Sequence, residues 1–262
     1  MPEIIAGRNP VLEALKAGRP INKILVENNV RHSVIAEIVN QAKQQGVLFE
    51  FVNPEIIAKV SPIGLNQGVI AYVAAKEYVS IEDLYRISEE KAEPPFYVIL
   101  DGIEDPQNFG AILRTAEATG VHGVIIRERR EVGLTAAVAR ASAGAIEYVP
   151  VARVTNIAQT IEEIKGQKSD IKNAGQNLKI ANSGIWVTGI DMSGDTDYQK
   201  VDYRSPTAIV VGGEGQGLSP LVRKRCDRVV RIPMKGKISS LNASVAAALV
   251  MYEAFRQRQN NQ

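Results

Sequence analysis

Residues suited to polar chemistry gather in three places along this chain, two of them just after an apolar run. The last, 232–253 (IPMKGKISSLNASVAAALVMYE), sets a glycine, Ser239, Ser240 and Asn242 ahead of an alanine-rich helical stretch. Small polar residues at that density make a poor core and a good site. The middle stretch, 208–220 (AIVVGGEGQGLSP), runs a buried-strand pattern into a glycine-rich turn. Glycines there let backbone approach a ligand closely or take positive φ. Gly213, Gly215 and Gly217 alternate instead of following G-x-G-x-x-G, and no Gly-Lys-Ser/Thr follows, so neither a dinucleotide fingerprint nor a P-loop is present. Glu214 would also repel a phosphate. The loop therefore suits a ligand without a pyrophosphate, including a cationic one such as S-adenosylmethionine; the ordinary alternative is a tight turn.

The first stretch, 101–120 (DGIEDPQNFGAILRTAEATG), follows an apolar run at 96–100. Asp105-Pro106 turns the chain into a helix expected to start near Asn108, with Phe109, Ile112, Leu113 and Ala116 as its buried stripe and Arg114 off that stripe. Asn108 and Arg114 are the candidate polar groups. Their plain readings are an N-cap and a solvated arginine.

Alternating strand and helix patterns must position these stretches. Asn9-Pro10 opens a short helix closed by Gly18, 24–26 reads as a strand, 33–45 as a helix stopped by Gly46, and 48–52 as a strand. Asn53-Pro54 offers the N-cap and first residue of another helix, and 69–73 returns to strand. This predicts a small α/β domain over 1–75. The charged stretch 76–95 reads as a connector with a possible helical turn at 81–87. A second α/β unit over 96–262 follows, with strands at 96–100, 124–126, 185–188, 208–211 and 229–232, a pattern that argues for a mostly parallel sheet. The polar run 165–183 reads as a long surface loop.

Composition narrows the options. The chain has 262 residues, 45% of them hydrophobic, enough for two domains with cores. The single Cys226 excludes an internal disulfide and fits a reducing compartment, with an inert thiol expected. With no basic-apolar leader and no apolar run near the ~20 residues of a span, a soluble cytoplasmic protein without membrane contact is expected. Only His32 and His122 are present, too few for a His-based metal cluster, and no metal is expected. At a net charge of +2, any nucleic-acid role must rest on local patches. One runs from Arg223 to Lys237, where Arg223, Lys224, Arg225, Arg228, Arg231, Lys235 and Lys237 face the single acid Asp227; the plain reading is a solvated surface. In 1–75, seven Lys/Arg stand against six Glu, and Arg8, Arg19, Lys23 and Arg31 are the candidates for an RNA face.

Together the three stretches resemble the SpoU (TrmH-type) family of RNA ribose 2′-O-methyltransferases in the SPOUT class, over about residues 96–262. Residues 1–75 look like the small substrate-binding domain, similar to certain ribosomal proteins, of the branch that methylates a guanosine of bacterial 23S ribosomal RNA. The block 133–151 (GLTAAVARASAGAIEYVPV) also looks like that branch, from which the run 166–182 departs as an apparent insertion. The resemblance implies an α/β SPOUT domain with a parallel sheet and a deep trefoil knot, an S-adenosyl-L-methionine cofactor, an RNA partner and a homodimer joined through the alanine-rich helix. It places Gly212, Ile232 and Leu241 in the cofactor pocket with Gly213 and Met234 nearby. It makes Asn108, Arg114, Glu214, Ser240 and Asn242 the functional polar positions.

Arginine is a poor literal base, because a neutral guanidinium at pH 7 costs about 8 kcal/mol. Arg114 is therefore expected to orient the target phosphate or ribose oxygen, with the proton leaving through a neighbouring phosphate or Ser240. Three alternatives stay open: a transfer-RNA 2′-O-methyltransferase, a non-catalytic RNA-binding protein, and a nucleotide-dependent oxidoreductase, the last opposed by the glycine spacing and Glu214.

Overall fold

A computed structural model describes residues 3–30, 32–61, 66–129, 131–166, 184–237 and 240–259. In chain order the elements are β1 (Glu3–Ala6), α1 (Arg8–Lys16), β2 (Ile21–Glu27), α2 (Ser33–Gln44), β3 (Phe49–Val52), α3 (Pro54–Val60) and β4 (Val69–Val73). There follow α4 (Ile81–Glu90), β5 (Phe96–Asp101), α5 (Pro106–Ala118), β6 (Gly123–Arg127), α6 (Ala136–Ala141), β7 (Val151–Val154) and α7 (Ile157–Gly166). The last are β8 (Trp186–Ile190), β9 (Thr196–Asp197), β10 (Thr207–Gly212), α8 (Pro220–Arg225), β11 (Arg228–Arg231) and α9 (Ala243–Gln259). They form two compact units. One is Met1–Glu77 with Phe109–Arg114 and Leu134–Tyr148; the other is Tyr78–Asn108 with Thr115–Gly133 and Val149–Gln262.

In the first unit a four-stranded sheet runs β1-β4-β2-β3, with β4 antiparallel to β1 and β2, and β2 parallel to β3. β1 was not expected; it is short and completes the edge beside β4. α1 begins at Arg8, so Pro10 falls in the first turn, where its missing N–H costs nothing. His32 caps α2, its Nδ1 accepting from the Val34 amide, and Ile35, Ile38 and Ala42 form the buried face. Asn53 occupies the N-cap of α3 with Pro54 behind it, but makes no side-chain cap bond. Its side-chain oxygen accepts from Asn28 Nδ2 instead.

The second unit holds a seven-stranded sheet in the order β7-β6-β5-β10-β8-β11-β9, parallel at every pairing. β5 is buried at all six positions, as expected of a parallel strand covered on both faces. On one face Tyr97, Ile99, Val187, Ala208 and Val210 pack with Ile157, Ile161 and Ile164 of α7. Each fully buried side chain of this size stabilises the fold by roughly 1.5–3 kcal/mol. β7 and β9 were not anticipated. β7 carries an arginine in a four-residue strand and β9 has two residues, too little for a pattern to register.

Three expectations are corrected. The stretch 76–95 is more than a connector: it carries the ten-residue α4, closed at its start by a capping box in which Ser80 and Asp83 each accept from the other's backbone amide. Leu84 of α4 is fully buried in the core. Asn108 is not an N-cap; α5 starts at Pro106, and Asp105 accepts from the amides of Gln107 and Asn108. The expected stripe of α5, Phe109, Ile112, Leu113 and Ala116, is fully buried. The helix α7 covers residues 165 and 166, expected as loop; the run 167–183 lies outside the described residues. Among the described residues no helix is long and apolar enough to cross a membrane.

Candidate functional site

β10 lies between β5 and β8, with Gly212 opposite Asp101 and Val211 opposite Ile190. The chain proceeds from β5 toward β6 on one side and returns through β8 and β10 on the other. The crevice outside the strand ends at such a reversal is where open α/β sheets bind ligands.

The glycine-rich turn is folded tightly at this crevice. The Gly213 amide donates to the Asp101 carbonyl at 2.9 Å, and the Gly217 amide to the Gly213 carbonyl at 3.0 Å. A Cβ on Gly212 would stand 2.2 Å from the Gly217 carbonyl carbon, and one on Gly213 would stand 2.2 Å from the Gly102 carbonyl oxygen. These two glycines are therefore needed for backbone to meet backbone, which fixes the wall of the crevice. Gly217 supplies a positive φ of 63° for the turn.

Asn108, Glu214 and Asn242, far apart in sequence, converge on this turn. Asn108, 5% exposed, donates from Nδ2 to Glu214 Oε1 at 2.5 Å and accepts from Asn242 Nδ2 at 2.8 Å. Asn242 Nδ2 also lies 3.0 Å from Glu214 Oε1. Its Oδ1 accepts from the Ser244 amide and hydroxyl and from the Val245 amide, capping α9. Each side-chain amide is thus committed to one orientation.

A cavity of about 540 Å³ opens beside this cluster, within the size range of small-molecule sites. Gly212, Gly213, Ile232, Met234 and Leu241, the positions expected around a cofactor, all line it, as do Glu214, Ser240 and Asn242. Ile190, Asp191 and Met192 from the end of β8 line it too, and the sequence reading missed them. Burial alone raises the Asp191 carboxyl, but the Ser193 hydroxyl and amide and the Arg223 guanidinium outweigh it and hold the group below its ordinary range. It is a fixed anion at neutral pH. The aspartate is preceded by the apolar run of β8, the one signal that would have pointed to it. The donor set suits S-adenosylmethionine: apolar Ile190, Val211, Ile232 and Leu241 for a purine, two carboxylates for a cationic sulfonium or amine, and, among the described residues, no lysine or arginine in the lining to demand a phosphate.

A second recess of about 490 Å³ shares Gly213, Glu214, Gln216 and Gly217 with the first and adds Asn108, Asp101 and Arg127. The Asp101 carboxylate accepts from the Ser219 amide at 2.7 Å and from Arg127 Nη2 at 2.9 Å. Arg114 lies on α5, exposed to solvent, and is not part of either lining.

The basic run is largely consumed by local contacts. Arg223 pairs with Asp191, Arg225 with Glu162 and Arg231 with Asp197, while Arg228 sits over the Trp186 ring. Lys165 pairs with Asp227. In the first unit, Arg8 donates to the Gln67 carbonyl, Lys23 pairs with Glu50, and Arg31 lies outside the described residues. Arg19 is a correction: its side chain is 5% exposed and ion-paired, so it forms no RNA face. Burial pushes the Cys226 thiol up to about 12, the protonated form expected of an inert cysteine. Among the described residues no group of side chains could hold a metal ion.

Comparison with known proteins agrees with this geometry. The pattern of the family described as SpoU rRNA Methylase family matches residues 95–175 and 168–252, and that described as RNA 2′-O ribose methyltransferase substrate binding matches 4–79. YacO of Bacillus subtilis (strain 168), named for the TrmH family of tRNA/rRNA methyltransferases, is 44% identical over 98% of this chain and 96% of its own. The SpoU methyltransferase AviRb of Streptomyces viridochromogenes, solved with AdoMet, superposes with a TM-score of 0.76 at 27% identity, over 98% of this chain and 90% of that one. An AdoMet-bound rRNA methyltransferase of Sinorhizobium meliloti superposes at 0.73 with 25% identity, over 97% of this chain and 87% of that one. A cavity at the sheet reversal with two carboxylates and an asparagine pair on its rim is thus met in a chain that belongs to the SpoU/TrmH family of RNA methyltransferases.

Proposed function

We propose that this protein methylates a ribose 2′-hydroxyl in RNA, at a guanosine of 23S ribosomal RNA, using S-adenosyl-L-methionine. The convergence of Asn108, Glu214 and Asn242 on the wall shared by the two recesses carries this reading. It puts a rigid polar rim between a cavity fit for the cofactor and a recess fit for an incoming nucleotide. When bound, the cofactor supplies an electrophilic sulfonium methyl for transfer to an oxygen. Glu214 and Asp191 hold its cationic part by charge, and Ile232, Leu241 and Met234 exclude water from its apolar part. Gly212 and Gly213 keep the wall thin. Asn108, held by Glu214 and by Asn242, turns the second hydrogen of its amide toward the acceptor sugar, and Asn242 acts by fixing it there, so positioning supplies much of the rate. Arg114 stays a cation and orients the target phosphate or ribose oxygen, while a neighbouring phosphate takes the proton, directly or through the Ser240 hydroxyl, which passes on its own proton as it accepts the ribose one.

Residues 1–75 serve as the RNA substrate-binding domain and 96–262 as the methyltransferase domain, whose strand crossings we read as a trefoil knot. The choice of 23S RNA over transfer RNA is supported by this two-domain layout and by the ribosomal RNA specificity named for the Sinorhizobium relative. The working unit is a cytoplasmic homodimer. Supporting the dimer, α9 leaves Val245, Leu249 and Tyr252 exposed at 47%, 38% and 51%, one helical stripe left open among the described residues, while Ala243 and Ala247 turn into the chain's own core. Titration calorimetry with S-adenosylmethionine tests the reading. Micromolar binding that is abolished by Gly212→Ala is expected; absence of heat in the wild type would leave a non-catalytic RNA-binding protein.

A further inference from the structure

The buried charges of the first unit have no place in the chemistry described so far. Arg19, instead of facing RNA, donates from Nη1 to Glu147 Oε1 at 2.7 Å and from Nη2 to Glu3 Oε2 at 2.8 Å, with its Nε and Nη2 also on the Ala74 carbonyl. The Glu147 side chain is 1% exposed. Among the described residues its Oε2 has no hydrogen-bond partner and only Lys76 Nζ nearby at 3.6 Å, which donates to the Glu147 carbonyl at 2.9 Å. A carboxylate so buried is stable only with cations held against it, and both cations come from residues 1–77. Beside it, Tyr148 donates to Glu13 Oε2 at 2.6 Å, and Gly144, at φ +97°, lies so close to Glu13 that a Cβ would stand 2.6 Å from the Glu13 Cβ.

The fastened segment also carries α6. Ala141 of α6 meets α5 at Gly110, where an added Cβ would lie 2.4 Å from the Ala141 Cβ. Arg114 stands four residues beyond Gly110, on the same face of that helix. Arg19, Glu147, Ala141, Gly110 and Arg114 all belong to the one compact unit.

We infer that Arg19 and Glu147 are positioning residues for methyl transfer: they clamp residues 1–77 onto 134–148 and, through the Ala141–Gly110 contact, set the pose of α5 from which Arg114 projects. RNA held by the N-terminal residues is thereby presented to Arg114 in a fixed register. The inference rests on the proposed role of Arg114.

The test compares wild type with Glu147→Gln, Arg19→Met and Arg19→Lys. Three readouts are taken: the S-adenosylmethionine Kd, kcat and KM on 23S RNA from a strain lacking the gene, and amide hydrogen exchange. Glu147→Gln and Arg19→Met are expected to lower kcat about tenfold, with KM and cofactor Kd within twofold of wild type. Exchange should rise in 109–114 and 134–148 and stay unchanged in 207–212, and Arg19→Lys should recover most of kcat. Unchanged kcat, a loss shared by cofactor Kd, or exchange raised evenly along the chain would overturn the inference. A wild type that methylates no RNA would instead sink the proposed function. Exchange then decides the clamp alone, and unchanged exchange in 109–114 overturns it.

Discussion

Replacing Asn108 by aspartate exchanges the NH2 donor for a charged oxygen and puts two carboxylates in contact. In the native protein the Asn108 amide donates to Glu214 Oε1 at 2.5 Å. An aspartate oxygen there would face the glutamate at roughly 3 Å, a repulsion of about 5 kcal/mol at an effective dielectric of 20. Glu214 is solvent-exposed, so screening reduces this to roughly 1–3 kcal/mol. At about 2–4 °C per kcal/mol for a chain of this size, Asn108→Asp should melt roughly 2–12 °C below wild type at pH 8. The introduced carboxyl has its folded pKa raised above the unfolded value of about 3.9. Its penalty is therefore absent below that unfolded value and complete once pH passes the folded one. Asn108→Leu loses the same donor without adding charge, so its deficit should be flat with pH. Thermal melts of both variants from pH 3.5 to 8, a range that brackets the unfolded and folded values, give the comparison. An Asn108→Asp deficit that is flat with pH, or that grows toward acid, would refute the Asn108–Glu214 contact.

Other perturbations follow from the same contacts. Gly212→Ala forces a methyl into the Gly217 backbone and should cost roughly 1–3 kcal/mol together with cofactor binding, read by melting and calorimetry. Asp191→Asn should weaken S-adenosylmethionine about threefold to tenfold; an unchanged Kd would remove Asp191 from the site. His122 is fully buried, accepting from the Phe96 amide and bonded to Glu93, and burial first, with the Lys91 and Arg258 cations adding to it, lowers it to about 4. Stability from keeping it neutral is present above the unfolded value near 6.5 and is lost as pH falls toward 4, up to roughly 3 kcal/mol; His122→Gln should flatten that slope in urea melts.

Much of this architecture is legible in the residues. The strands at 96–100 and 208–211 are uninterrupted apolar runs because both faces of the parallel sheet are covered, and the stripe of α5 has helical period. α4 was underread because its charge hid a clear start, Ser80 with Asp83, and an apolar spacing of Ile81, Leu84 and Tyr85. The helix start at Pro106 was equally available from Asp105. What no local pattern carries is partnership across the chain. Arg19 looks like a surface cation until Glu147, 128 residues away, is found against it. Asp191 has no motif beyond the strand that precedes it, and its role becomes visible with the Arg223 guanidinium and the cavity it borders. The glycines of 212–217 are expected to let backbone approach a ligand or take positive φ; Gly215 and Gly217 take positive φ, while Gly212 and Gly213 line the cavity and also let backbone meet backbone, uses that glycine content alone does not distinguish.

The central claim is methyl transfer to a ribose oxygen of ribosomal RNA. Incubating the purified protein with methyl-labelled S-adenosylmethionine and 23S RNA from a strain lacking the gene, then digesting with alkali, reads it directly, because a 2′-O-methyl group protects the adjacent phosphodiester. The account predicts label in a single alkali-resistant dinucleotide with guanosine on its 5′ side. Label released entirely in mononucleotides, or none incorporated, would contradict it.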